Sequence, residues 1–209
     1  MILFAVLPLI PPGPCLFPVE VASRPASIDS IVSENFPIRV HWQEESQEAK
    51  ALLVRDYAEL AWQVQVEELG FRAPQLPDSA DGPELDFYLK DVGGWAAWAS
   101  PDSWSDAVEG DGYASVPAYL VIDSNISDDW IGVYTAHEFN HVLQWSMDYN
   151  EPTWPIFEAV ATAAQAWTLG EAGVWDGEVN TFQEIPWAPA ILGDSYVLYD
   201  ATGLGYYYE

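Results

Sequence analysis

Five consecutive residues, His137-Glu138-Phe139-Asn140-His141, constrain this chain more than any others. They read H-E-x-x-H, the zinc-peptidase signature, and the pattern works only on a helix. Residues four apart share a helix face, so both imidazoles can reach one ion while Glu138 points toward water held there. Zinc lowers the pKa of such water to about 7, where a neighbouring carboxylate can take its proton. The motif uses two of only three histidines in the chain.

The residues around the motif sharpen this reading. Ile131, Val133, Tyr134, Phe139, Val142, Leu143 and Trp145 make the helix apolar on most sides, so it must be largely buried. Asp128 or Asp129 is expected to cap it, with the helix beginning near Trp130. Unpaired polar groups inside such a helix cost roughly 1–3 kcal/mol each. A metal ion supplies partners for His137 and His141; hydrogen bonds to neighbouring strands are the other way to satisfy them.

Catalytic zinc ordinarily has three protein ligands and one open position. The longer H-E-x-x-H-x-x-G-x-x-H pattern is absent, because Gln144 and Met147 stand at its Gly and last His. Glu158 is the better third ligand. It is the lone acid on a second, Ala-rich helix that Thr153 can cap, Pro155 can open and Gly170 can end. The short loop from Asp148 to Pro152 returns the chain antiparallel, which brings that helix beside the first. Asp148, Glu151, Asp176 and Asp194 are the reserve candidates. An exposed first-turn acid favoured by the helix dipole is the plain alternative for Glu158.

Upstream, Phe36, Ile38, Val40 and Trp42 alternate with polar partners, predicting a half-buried strand with His41 on its exposed face. Glu44 to Leu69 reads as one long helix whose core stripe is Ala49, Leu52, Leu53, Tyr57, Leu60, Ala61 and Val64. Gly70 stops it. Pro74 to Pro83 is a loop. Leu85, Phe87 and Leu89 predict a second strand, and Val116, Ala118, Leu120 and Ile122 a third. Between them, Trp95 to Gly112 reads as irregular. Its acids Asp102, Asp106, Glu109 and Asp111 offer oxygen ligands for Ca²⁺ without the EF-hand spacing. After Gly170 the signal fades. Tyr149, Tyr196 and Tyr199 are the candidate electrophiles for a tetrahedral intermediate.

Charge excludes several classes. There are 33 acidic against 6 basic residues, a net charge of −27, so no basic patch for nucleic acid can form. The excess fits calcium binding, cationic substrates, high salt, or simply a self-repelling surface. The single Cys15 precludes an intrachain disulfide. No run approaches the roughly 18 apolar residues of a membrane span. Residues 1–33 read as an extended arm or a degenerate signal segment: Ile2 to Ile10 is apolar, but no basic stretch or small-residue cleavage site flanks it.

His-Glu-Phe-Asn-His-Val-Leu-Gln-Trp followed by Trp154 and Glu158-Ala-x-Ala resembles the gluzincin zinc metallopeptidases, in which a Glu on the next helix completes the ligand set. Within that group the chain is similar to a set of bacterial secreted proteins carrying H-E-x-x-H-x-x-Q and then W-x-x-E-G-x-A. Ala159 replaces the Gly of that second motif. The resemblance spans about residues 34–170. It implies Zn²⁺ held by His137, His141 and Glu158, Glu138 as general base, and a peptide substrate added to an edge strand, expected at Val116 to Asp123.

These readings converge on an α+β, zincin-like fold: a small twisted sheet, a backing helix, the H-E-x-x-H helix and a following glutamate helix. The catalytic domain is expected over 34–170, with 171–209 as a short C-terminal segment, so that the chain is a fragment or a minimal form. The expected function is a secreted, monomeric zinc metalloendopeptidase acting on peptides or proteins. Two alternatives are an inactive zincin-like binding or adhesion module and an acidic, calcium- or salt-dependent structural protein.

Overall fold

The computed structural model describes residues 23–77, 82–93, 96–102, 108–109, 114–148 and 154–170. The architecture is α+β, with a five-stranded mixed sheet and three α-helices. The strands are β1 (Asp29–Val32), β2 (Ile38–Trp42), β3 (Leu85–Lys90), β4 (Ala97–Pro101) and, after a two-stranded ribbon of β5 (Val108–Glu109) with β6 (Ala114–Ser115), β7 (Ala118–Asp123). Their order across the sheet is β1-β2-β3-β7-β4. The three middle strands run parallel, and the two outer ones are antiparallel to their neighbours.

One sheet face meets the helices. Ile38, Val40, Leu85, Phe87, Leu120 and Ile122 pack against Ala51, Val54, Ala58 and Ala61 of α1 (Glu48–Ala61) and Ile131, Ala136, Phe139 and Leu143 of α2 (Asp128–Met147). The third helix, α3 (Trp154–Leu169), packs on α2. No helix among the described residues is long and apolar enough to cross a membrane.

Several expectations are corrected. The segment before residue 34 is not merely an arm: Asp29–Val32 forms the edge strand β1, a hairpin partner of β2. Ile28 and Val32 are exposed, so its hydrophobic pattern is weak, as suits an edge. The long helix is divided into a 3₁₀ turn at Glu45–Gln47, α1, and a π-helical stretch at Trp62–Glu68. Its buried stripe is Ala51, Val54, Ala58 and Ala61, about one position away from the expected one. The small residues let α1 approach the sheet and α2 closely, and the larger Leu52, Leu53, Tyr57 and Leu60 flank the contact half-buried.

The region read as irregular contains β4 and β5. Consequently β7 is not an edge strand: β3 lies on one side of it and β4 on the other. The edge next to the helices is β4. Asp123 N–H donates to Ala96 O, and Asp102 N–H donates to Pro117 O, which marks the hydrogen-bonded pairs of this ladder. The peptide groups of Ala97 and Ala99 therefore face away from β7, and Pro101, which has no N–H to give, also falls at an outward position. Ser127, not Asp128 or Asp129, occupies the N-cap of α2, and the two acids lie in its first turn.

His41 is 7 % exposed rather than on an open face. Its Nε2 bonds Asp86 Oδ1 at 2.7 Å, and its ring stacks on Tyr88 at 4.4 Å. Arg24 bridges Asp86 and Asp102, covering this second face of the sheet. That ion pair engages Asp102, one of the acids considered for calcium; Glu109 lies in β5, and Asp106 and Asp111 fall outside the described residues.

Candidate metal centre

The motif sits in the middle of α2, and every residue from Thr135 to Gln144 is buried. Helical spacing places His137 and His141 one turn apart on the face turned to α3, with ring centroids 4.8 Å from each other. The Ala-rich composition of α3 lets its backbone come close, and Glu158 enters between the two imidazoles. His137 Nε2 lies 3.2 Å from Glu158 Oε2, His141 Nε2 lies 3.4 Å from Glu158 Oε1, and the two Nε2 atoms are 3.1 Å apart. Bonds of about 2.0–2.2 Å in a tetrahedral site put ligand atoms roughly 3.3–3.6 Å from one another. The triangle of donors is thus near the size a single ion of that class requires. All three residues are at most 8 % exposed. Among the described residues, His137, His141 and Glu158, the three residues the sequence points to, lie together as a buried group that could hold a metal ion; the identity of the ion does not follow from it.

Electrostatics in the metal-free protein reflect the same crowding. Burial opposes charge on His141, but the Glu158 carboxylate and its hydrogen bond outweigh that and raise the imidazole to about 9. Burial likewise opposes charge on Glu158, and His141, aided by the hydrogen bonds from both histidines, holds it well below the ordinary carboxylate range. Glu138 is shifted the other way. Burial raises it and Glu158 adds to the rise, while both histidines and the Ala99 N–H pull against them. That N–H belongs to the outward-facing edge of β4, so Glu138 stands between the histidines and the sheet edge.

Sequence reasoning missed one member of the site. Gln144 entered as the residue that breaks a longer zinc motif and as the last position of the H-E-x-x-H-x-x-Q resemblance, with no role of its own. Its Nε2 donates to Phe157 O at 2.8 Å, which fixes the amide and leaves Oε1 toward His141 Nδ1, also at 2.8 Å. His141 therefore keeps a proton on Nδ1, and when the ring is neutral its Nε2, turned toward His137 and Glu158, is the atom left to bind, the tautomer a metal ligand needs. The available signal was the position itself, one turn past the second histidine on the same face.

Of the other candidates for this centre, only Asp148 is among the described residues. Asp148 caps the end of α2 and is not part of the cluster. Glu151, Asp176, Asp194, Tyr149, Tyr196 and Tyr199 lie outside the described residues. No protein family, curated protein or solved structure matches this chain.

Proposed function

We propose that this chain is a zinc-dependent metalloendopeptidase with a zincin-like fold and gluzincin-type ligands. The observation that carries the reading is the convergence of His137, His141 and Glu158 at 3.1–3.4 Å beside a fourth buried group, Glu138, which is shared with the edge of β4. Two neutral imidazoles and a carboxylate suit zinc and leave one of four positions open. Bound there, zinc supplies Lewis acidity that acidifies water and polarises a carbonyl.

The chain's own residues supply the rest. A peptide joins the sheet along β4, whose Ala97 and Ala99 peptide groups face outward. This replaces Val116 to Asp123 as the docking strand. Glu138 takes a proton from the attacking water at its carboxylate. As the C–N bond breaks, it delivers that proton to the departing amine. Its raised pKa suits both duties. Gln144 holds His141 in the right tautomer throughout.

The test has two parts. Elemental analysis should find one zinc per wild-type chain and far less in Glu158→Ala. A broad peptide library should then be cleaved by wild type and not by Glu138→Gln. Zinc binding without cleavage would replace the enzyme with a zincin-like binding module. Absence of zinc from both proteins, even after incubation with the ion, would end the peptidase reading.

A further inference from the structure

Gln65 is fully buried in the π-helical stretch that follows α1. The widened turn is marked by Leu69 N–H donating to Val64 O at 2.9 Å, five residues back. Such turns are rare and recur at functional sites. Here the turn delivers an amide to the two helices that carry the metal-ligand candidates. Gln65 Nε2 donates to Ala136 O at 2.9 Å and to Thr168 Oγ1 at 3.0 Å, and its Oε1 accepts from Asn140 Nδ2 at 3.0 Å. Ala136 immediately precedes His137, and Asn140 immediately precedes His141; Thr168 lies on α3, the helix of Glu158. One side chain thus holds α2 just before each histidine and ties it to the helix bearing the carboxylate.

We propose that Gln65 is a positioning residue for the His137–His141–Glu158 centre, fixing the roll of α2 against α3. The inference rests on the reading of that centre as a metal site. Asn140 Oδ1 already lacks a partner, so losing Gln65 would strand the whole buried amide. The relief open to it is a rotation of α2 that turns Asn140 away from the void. With side chains about 5–6 Å from a helix axis, a roll of about 10° moves an imidazole by about 1 Å. Metal–ligand bonds tolerate only about 0.2 Å. Gln144 latches α2 to the beginning of α3 through Phe157 O, and Gln65 latches it near the end through Thr168. Two separated latches define a crossing where one would leave a pivot.

The experiment measures Zn²⁺ affinity by chelator competition and the visible absorption of the Co²⁺-loaded protein. It compares full-length wild type, Gln65→Met, Thr168→Val and Val54→Ala. Met matches glutamine in length but offers no amide. Val54 is a fully buried core residue of α1 and serves as the control for plain loss of stability. Metal-free stability is followed by urea unfolding. Gln65→Met should weaken Zn²⁺ binding about 10–100-fold, as outer partners of metal ligands do, and alter the Co²⁺ spectrum. Val54→Ala should lose stability and keep both metal readouts. If Gln65→Met does not fold, Thr168→Val, which removes one of the three Gln65 bonds together with the Thr168 Oγ1 bond to Ala164 O, decides in its place with a smaller loss in the same direction.

Affinity changed by less than about threefold in the folded variant, against the loss typical of such partners, would overturn the proposal. So would an equal loss in Val54→Ala. A wild type that takes up neither ion would instead remove the metal reading, and this inference with it.

Discussion

Gln144 Oε1 accepts the Nδ1–H of His141 at 2.8 Å, and the same amide donates to the carbonyl of Phe157, the residue before Glu158. A single glutamine therefore sets the tautomer of one metal-ligand candidate and the backbone position of another. Gln144→Leu should lower Zn²⁺ affinity about 10–100-fold, and Gln144→Glu, which keeps an acceptor for Nδ1–H but cannot donate to Phe157 O, should lower it less. Chelator competition checks both. Equal affinity in Gln144→Leu and wild type would show that the helix crossing alone orients His141.

Glu138→Gln keeps the shape of the side chain and removes its basicity. Zinc content should stay at the wild-type level. Turnover of a cleaved peptide should fall by about 10²–10⁴, the usual contribution of a positioned acid–base group. Near-wild-type turnover would mean that another group handles the proton.

The metal-free protein should have an asymmetric pH–stability profile. His141 is raised from 6.5 to about 9, so its contribution is complete below pH 6.5 and is lost as pH rises through 9. Glu158 is lowered from 4.5, so its contribution is present above that value and is lost as pH falls toward its depressed pKa. Urea unfolding of the metal-free chain should therefore show the contribution of the His141–Glu158 pair greatest between about pH 4.5 and 6.5 and lost as pH rises through 9. With zinc the sign reverses over the upper range, because the ion needs neutral imidazole and competes with protons. A metal-free protein whose stability does not decline between pH 7 and 9 would contradict the ion pair between His141 and Glu158.

Gly132 marks a close approach of α2 to Tyr57 of α1. A Cβ there would lie 2.6 Å from Cε1 of Tyr57. Gly132→Ala gains up to about 1 kcal/mol in helix propensity, but overpacking costs roughly 1–3 kcal/mol. The net expectation is a loss of about 1 kcal/mol in urea unfolding. Zn²⁺ affinity should be unchanged, since Gly132 lies more than a turn before His137 and faces α1.

The sequence alone determined the elements whose signal is local. The histidines of α2 show themselves through helical spacing within an apolar run. Glu158 stands out as the lone acid of an Ala-rich helix, and β2 and β3 alternate apolar with other residues over most of their length. Each of these follows from one period repeated over a few consecutive residues. Tertiary structure decided what depends on distant partners. Ala97–Pro101 has no alternating pattern, yet it is the strand that turns β7 into an interior one. His41 looks solvent-facing from its strand alternation, but Asp86, 45 positions away, binds it in a covered face. Gln144 reaches a carbonyl 13 positions on, and Gln65 one 71 positions on. An amide's hydrogen bond has no period and leaves no mark on its neighbours in the chain. Its partner is chosen only when helices cross, and that crossing is set by the packing of small residues against the sheet and against one another.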